Sequence, residues 1–226
     1  MRRILAYHKV AICDSPLCVP PSRFLRQLQV LNRMKATLVN LEEFDMLQPG
    51  PRRDRVVALT FDDGTIDGYT TVVPALVERE ASATFFVPSA TVGSDGKMNW
   101  EHLREILSLG FEVGSHSRTH RNLPGLSDSE LEAEIRGSKE ELEDSLGVPI
   151  RSFAYPRGLF DRRCLEVVEK AGYLRAVVTP RGPGHVSGRY TMERVGIYRH
   201  TGLGAFTLKV TGVYGELKRL GWTLRS

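Results

Sequence analysis

Short apolar runs alternate along the chain with longer stretches in which apolar residues recur every three or four positions. Ile4–Tyr7 reads as a strand. Phe24, Leu28 and Leu31 then recur at helical spacing behind Ser22, a residue suited to an N-cap. Val56–Phe61 is the next strand, a helix follows over about Val72–Glu80, and Thr84–Val87 is a third strand rich in β-branched and aromatic residues. Trp100, Leu103 and Leu107 mark a helix stopped by Gly110, and Phe111–Gly114 is a short strand. Ser127 and Glu130 have capping-box spacing. Leu131, Ile135, Leu142 and Leu146 place one apolar stripe on the helix that follows, and Gly147 ends it. Ser152–Ala154, Ala176–Thr179 and Val195–Tyr198 complete the strands, with helices over about Asp161–Gly172 and after Gly202. Seven strands alternating with helices predict parallel βαβ units in one domain over residues 1–226.

Composition changes this picture little. The 226 residues are 41% hydrophobic and 26% charged, ordinary for a globular chain able to bury its own core. A net charge of +4 without a basic stripe interleaved with aromatics argues against nucleic-acid binding. Arg52, Arg53 and Arg55, and the tail with Lys209, Lys218, Arg219 and Arg225 against Glu216, read as solvated faces. Weak attraction to anionic substrates or a membrane surface is the second reading of these charges. Cys13, Cys18 and Cys164 give neither a disulfide framework nor a zinc ribbon. The N-terminus lacks the apolar run of a signal peptide, and no segment reaches the ~20 apolar residues of a membrane span, so the expected location is cytoplasmic.

The residues with chemical potential fall just after predicted strands: His8, Asp62-Asp63, His116, Tyr155-Pro156-Arg157-Gly158 and His200. In a β/α barrel these positions converge on the C-terminal rim, where such barrels build active sites. His116 and His120 are four apart, so a helical turn would put both imidazoles on one face, ready for one metal. Alone, that pair is as readily structural as catalytic. Asp62-Asp63-Gly64 shifts the balance, because adjacent carboxylates at a strand end repel unless a cation or proton intervenes. An acidic surface turn is the competing reading of the same triplet.

Thr60-Phe61-Asp62-Asp63-Gly64, His116-Ser117-Arg118-Thr119-His120 and Tyr155-Pro156-Arg157-Gly158 resemble the successive motifs of the polysaccharide deacetylase family, the NodB-homology or carbohydrate esterase family 4 domain. Ala6-Tyr7-His8 and the Phe24, Gln27, Leu28, Leu31 helix resemble its poly-N-acetylglucosamine deacetylase branch. The resemblance implies a single-domain α/β fold, a deformed (β/α)7-type barrel, and a divalent metal ion of the zinc type. It also implies a hydrolase that removes acetyl groups from an N-acetylated amino sugar or glycan precursor. By the same resemblance Asp62 is the general base, Asp63, His116 and His120 bind the metal, and the Arg157 backbone N–H supports the oxyanion. A late histidine supplies the general acid; His200 holds the matching place, with His8 and His185 as alternatives.

The chain departs from the family at Ala154, where many relatives carry an arginine that braces the base, and at Arg157, which replaces an aromatic. Arg157 faces either an anionic substrate group or solvent. The family's Asp-plus-Trp motif has no counterpart between Arg162 and Arg194. Competing readings are an O-acetyl esterase or other C–N hydrolase on the same metal, and an inactive carbohydrate-binding relative. The expected substrate is an intracellular nucleotide- or lipid-linked sugar.

Overall fold

The computed structural model describes residues 1–47, 55–179 and 187–213. Arg52, Arg53, His185, Glu216, Lys218, Arg219 and Arg225 lie outside them. The strands are β1 (Arg2–Tyr7), β2 (Thr37–Val39), β3 (Val56–Phe61), β4 (Thr84–Val87), β5 (Glu112–Ser115), β6 (Ser152–Ala154), β7 (Arg175–Val178), β8 (Met192–Glu193) and β9 (Val195–Gly196). The helices are α1 (Pro21–Arg33), α2 (Leu41–Met46), α3 (Val73–Val77), α4 (Trp100–Ser108), α5 (Asp128–Leu146), α6 (Arg162–Lys170) and α7 (Leu203–Thr211).

Every ladder is parallel, in the order β8-β7-β6-β5-β4-β3-β1-β9, with β2 paired to β3. The two ends of that path, β8 and β9, are consecutive in the chain and separated by one residue, Arg194. The sheet therefore curls into a nearly closed barrel whose seam is crossed by a single peptide segment. The expected deformed (β/α)7-type barrel is the fold observed, in one α/β domain.

Strands β3 to β7 are buried on both faces, which explains their near-continuous apolar runs. Outward-facing residues such as Leu5, Tyr7, Leu59, Phe61, Phe85 and Phe153 pack under the helices. Inward-facing Ile4, Ala58, Phe86, Ala154 and Val177 form the lumen core, together with Leu41 and Phe44 of α2. Below them, buried Glu112 accepts hydrogen bonds from the Leu41 and Glu42 N–H groups at 3.1 and 3.0 Å and from Thr84 Oγ1 at 2.7 Å. Burial raises its pKa above the ordinary glutamate value. This end of the barrel is a plug; the other is left open for chemistry.

Several elements differ from the sequence expectation. β2 and α2 were not expected, being too short for three or more turns of periodicity to show. α1 starts at Pro21 with Pro20, not Ser22, as its N-cap. The Val72–Glu80 region divides into a π-helical turn, Gly68–Val72, and α3 ending at Val77. The Val195–Tyr198 strand shrinks to two residues. The Ser127–Glu130 capping box and the left-handed Gly147 C-cap are as expected. Cys13 and Cys18, whose spacing was read as giving no disulfide framework, are joined in a disulfide that closes the loop after β1. No helix among the described residues is long and apolar enough to cross a membrane.

Candidate active site

The open end holds a cavity of about 460 Å³ lined by His8, Leu17, Asp62, Asp63, His116, His120, Tyr155, Arg157, Gly158, Thr179, Arg194 and Tyr198. The sheet delivers the chemistry directly: the Asp62 N–H donates to Tyr7 O at 2.9 Å and the His116 N–H to Val87 O at 2.9 Å, extending the ladders one step beyond the strands. Asp63 then turns left-handed with φ 71°, followed by Gly64 at φ 60°. A Cβ on Gly64 would sit 2.9 Å from Val87 Cγ1, so only glycine fits this turn. Lys97 Nζ donates to the Asp63 carbonyl at 2.7 Å and anchors it.

His116 and His120 do not share a helix. They flank a non-helical loop in which Ser117 and His120 both have φ 61°. Buried Glu134 on α5 gathers that loop, accepting from the Arg118 and Thr119 N–H groups at 3.1 and 2.9 Å and from the Thr119 hydroxyl. The His120 N–H donates to Ser117 Oγ at 3.0 Å. Four of the six non-glycine residues with positive φ among the described residues are Asp63, Ser117, His120 and Arg157, all at this site. Strained backbone concentrates where function overrides local preference.

One ligand atom from each of Asp63, His116 and His120 lies within 4.8 Å of the others. His116 Nε2 and His120 Nε2 stand 3.7 and 3.4 Å from Asp63 Oδ1. Ligands about 2.1 Å from a tetrahedral zinc-like ion would be roughly 3.4 Å apart, so the residues fit such an ion. His116 Nδ1 is 2.7 Å from the Ala154 carbonyl. Protonated there, it leaves Nε2 as the ligand. Burial pushes the His116 pKa below the usual imidazole range, favouring the neutral form a metal requires.

Asp62 was expected to need a brace that Ala154 does not provide. The brace is Arg194, which sequence reasoning missed. Its Nη1 and Nη2 donate to Asp62 Oδ1 and Oδ2, each at 2.7 Å, and Nη1 also reaches Thr60 Oγ1 at 3.0 Å. Burial of Asp62 works to raise its pKa, but Arg194, His116 and His8 together outweigh it and hold the carboxyl well below the usual carboxylate range. The alanine at 154 was the only sequence signal, since it required a cation from elsewhere.

The three histidines considered as acid separate. His8 lines the cavity with Nε2 3.9 Å from Asp62 Oδ2, and its ring stacks on Tyr198 at 6.5 Å. His200 is exposed, lies outside the cavity lining and stacks against Tyr198 at 5.8 Å. His185 falls outside the described residues. At Arg157 the backbone is left-handed at φ 58°, and its N–H donates no hydrogen bond to the loops around it among the described residues.

A Bacillus subtilis relative, YxkH, is 27% identical over 195 residues, 85% of this chain and 70% of that protein. The peptidoglycan-N-acetylglucosamine deacetylase of Bacillus cereus is 31% identical over 124 residues, 54% of this chain. The match spans little more than half of that enzyme, 56% of its length. The deacetylase PplD of Streptococcus pyogenes shares the fold, with a TM-score of 0.83 at 24% identity over 92% of this chain and 97% of that one. The polysaccharide deacetylase family pattern matches residues 50–176, a stretch that includes Asp62, Asp63, His116, His120 and Arg157 but neither His8 nor Arg194. With more than half its length matched, the chain belongs to the polysaccharide deacetylase family.

Proposed function

We propose that the chain is a metal-dependent N-deacetylase of acetamido sugars. The observation that carries this reading is the Asp63, His116, His120 cluster with an ionised carboxylate, Asp62, beside it. Asp63, His116 and His120 would hold a divalent ion of the zinc type, which would supply Lewis-acid polarisation of the acetamide carbonyl and make water more acidic.

Asp62 takes a proton from the attacking water, and Arg194 keeps that carboxylate charged and aimed until it does so. The Arg157 N–H supports the developing oxyanion, an interaction typically worth about 3 kcal/mol. His8 hands a proton to the departing amine. Its place in the cavity near Asp62 supports this assignment over His200, which the resemblance favoured but which lies on the exposed side of Tyr198. The Cys13–Cys18 bridge supports an oxidising compartment rather than the cytoplasm, and so a wall or extracellular glycan rather than an intracellular precursor.

Acetate release from N-acetylated and O-acetylated sugars, with zinc and after chelation, tests the reaction. N-deacetylation that chelation abolishes and zinc restores is expected; release from O-acetyl groups alone selects the esterase reading. Asp62→Asn should keep metal affinity within about threefold and lower kcat by about 1,000-fold. Loss of metal in that variant would make Asp62 a ligand.

A further inference from the structure

The cavity wall at the ends of β6 and β7 carries two polar groups that the deacetylation chemistry leaves unused. Arg157 is exposed on the cavity lining, and among the described residues its guanidinium has neither an ion pair nor a hydrogen bond. Other arginines around the structure are engaged: Arg118 with Glu141, Arg121 with Glu130, Arg163 with Asp128 and Asp161. The cavity's own carboxylates are committed elsewhere, Asp62 to Arg194 and Asp63 to the histidine pair.

Thr179 supplies the second group. Its Oγ1 is buried without a hydrogen-bond partner. Strand alternation places it on the same side as Val177, whose side chain is in the lumen core. Residues 157–158 are docked against it. A Cβ on Gly158 would lie 2.5 Å from the Thr179 carbonyl oxygen and 3.2 Å from its nitrogen, so the two segments meet in backbone contact. Arg157 also holds a left-handed conformation that glycine or asparagine would adopt at lower cost, so something other than backbone preference favours arginine there.

A guanidinium without a carboxylate and, on the same cavity lining, a hydroxyl without an acceptor are together complementary to an anionic oxygen group. We propose that Arg157 and Thr179 bind a carboxylate or phosphate carried by the acetamido sugar or its neighbour, so that the enzyme selects acidic acetamido glycans over neutral ones. The selection deepens the N-deacetylase reading and rests on it for turnover. Binding does not depend on that reading.

The test compares three probes: the N-acetylglucosamine tetramer, a tetrasaccharide alternating N-acetylglucosamine with N-acetylmuramic acid, and N-acetylglucosamine 1-phosphate. For the native protein kcat/KM is expected to be at least tenfold higher for an anionic probe than for the neutral one. That ratio should fall about tenfold in Arg157→Gln and about threefold in Thr179→Val, and should shrink as salt rises. Preference for the muramic-acid probe identifies a carboxylate; preference for the phosphate probe identifies a phosphoryl group. Calorimetric binding of the same probes to Asp62→Asn separates the two readings. Anion-selective binding without acetate release would defeat the deacetylase reading and leave the subsite standing. Acetate release with equal kcat/KM for all probes, or an equal loss on all probes in Arg157→Gln, would overturn the subsite.

Discussion

Asp63, His116 and His120 come from the ends of β3 and β5, two strands separated only by β4, and each is set by nearby backbone: the Asp63–Gly64 turn, the Ala154 carbonyl and the Glu134 clamp. The proton-handling side is assembled differently. His8 follows β1, and Arg194 sits in the seam between β8 and β9, 132 residues beyond the Asp62 it braces. His8 meets Asp62 through the direct pairing of β1 with β3, which sets Tyr7 opposite Phe61, whereas Arg194 reaches Asp62 only because β9 pairs with β1 across the seam. The proposed metal side, and His8 beside Asp62, are thus local constructions on neighbouring strands, and the Arg194 brace is a product of barrel closure. The family pattern spanning 50–176 contains the metal side but neither His8 nor Arg194. Metal binding and proton transfer should therefore be separable by mutation.

Beyond Asp62 itself, the largest expected effect is at Arg194. In Arg194→Gln the buried Asp62 loses its cation, and an unpaired buried charge costs about 3–5 kcal/mol of stability. Asp62 has its pKa lowered in the folded state, so the pair stabilises the fold above the unfolded aspartate value of about 3.9 and loses that contribution as pH falls through the lowered folded value. Without Arg194, burial dominates and the folded pKa rises. The acid limb of kcat/KM should then move to higher pH, with kcat near neutrality down about 100-fold or more, while zinc affinity stays near the native value. A pH–rate profile and a zinc titration on the same variant check both. An unmoved acid limb would break the division between the two sides.

Next in size is the proton donor. His8→Ala should lower kcat about 100-fold, in the usual range for losing a general acid, with little change in zinc affinity. His200→Ala should change kcat less than about threefold. The reverse order in steady-state kinetics would return the acid role to His200 and move the proton side to the far face of Tyr198.

The smallest effect on turnover belongs to the metal side. Glu134→Gln weakens the clamp on the Arg118 and Thr119 amides, and zinc affinity should fall about tenfold, as for other groups that orient metal ligands. At saturating zinc, kcat should return to within about threefold of native. A loss of kcat that zinc does not restore would show that the loop also shapes the proton side.

Much of this was legible in the amino-acid order. Apolar runs buried on both faces announced parallel strands, and the Ser127–Glu130 box with Gly147 fixed both ends of α5. Asp62-Asp63-Gly64 and the His116, His120 pair pointed to the cluster that the structure brings together, because a strained turn and two imidazoles leave compact local motifs. Yet the helical turn expected between the histidines is absent: Glu134, at the far end of no recognisable spacing, holds a left-handed loop instead. Short elements such as β2 and α2 carry too few residues for periodicity to register, and the Cys13–Cys18 bridge depends on the loop that brings their Cα atoms to 6.0 Å.

What the sequence determined by itself was therefore the barrel and the Asp63, His116 and His120 cluster at its open end, since hydrophobic period and local motifs act over a few residues to a few strands. Tertiary structure alone decided which residue pairs with Asp62 and which of the candidate histidines stands beside it. Arg194 is one charged residue among many until closure of β9 against β1 buries it, and His8 is one histidine of six until the pairing of β1 with β3 sets it beside Asp62. The physical reason is that a buried ion pair is specified by where its partners become desolvated together, and that place exists only once the barrel has formed.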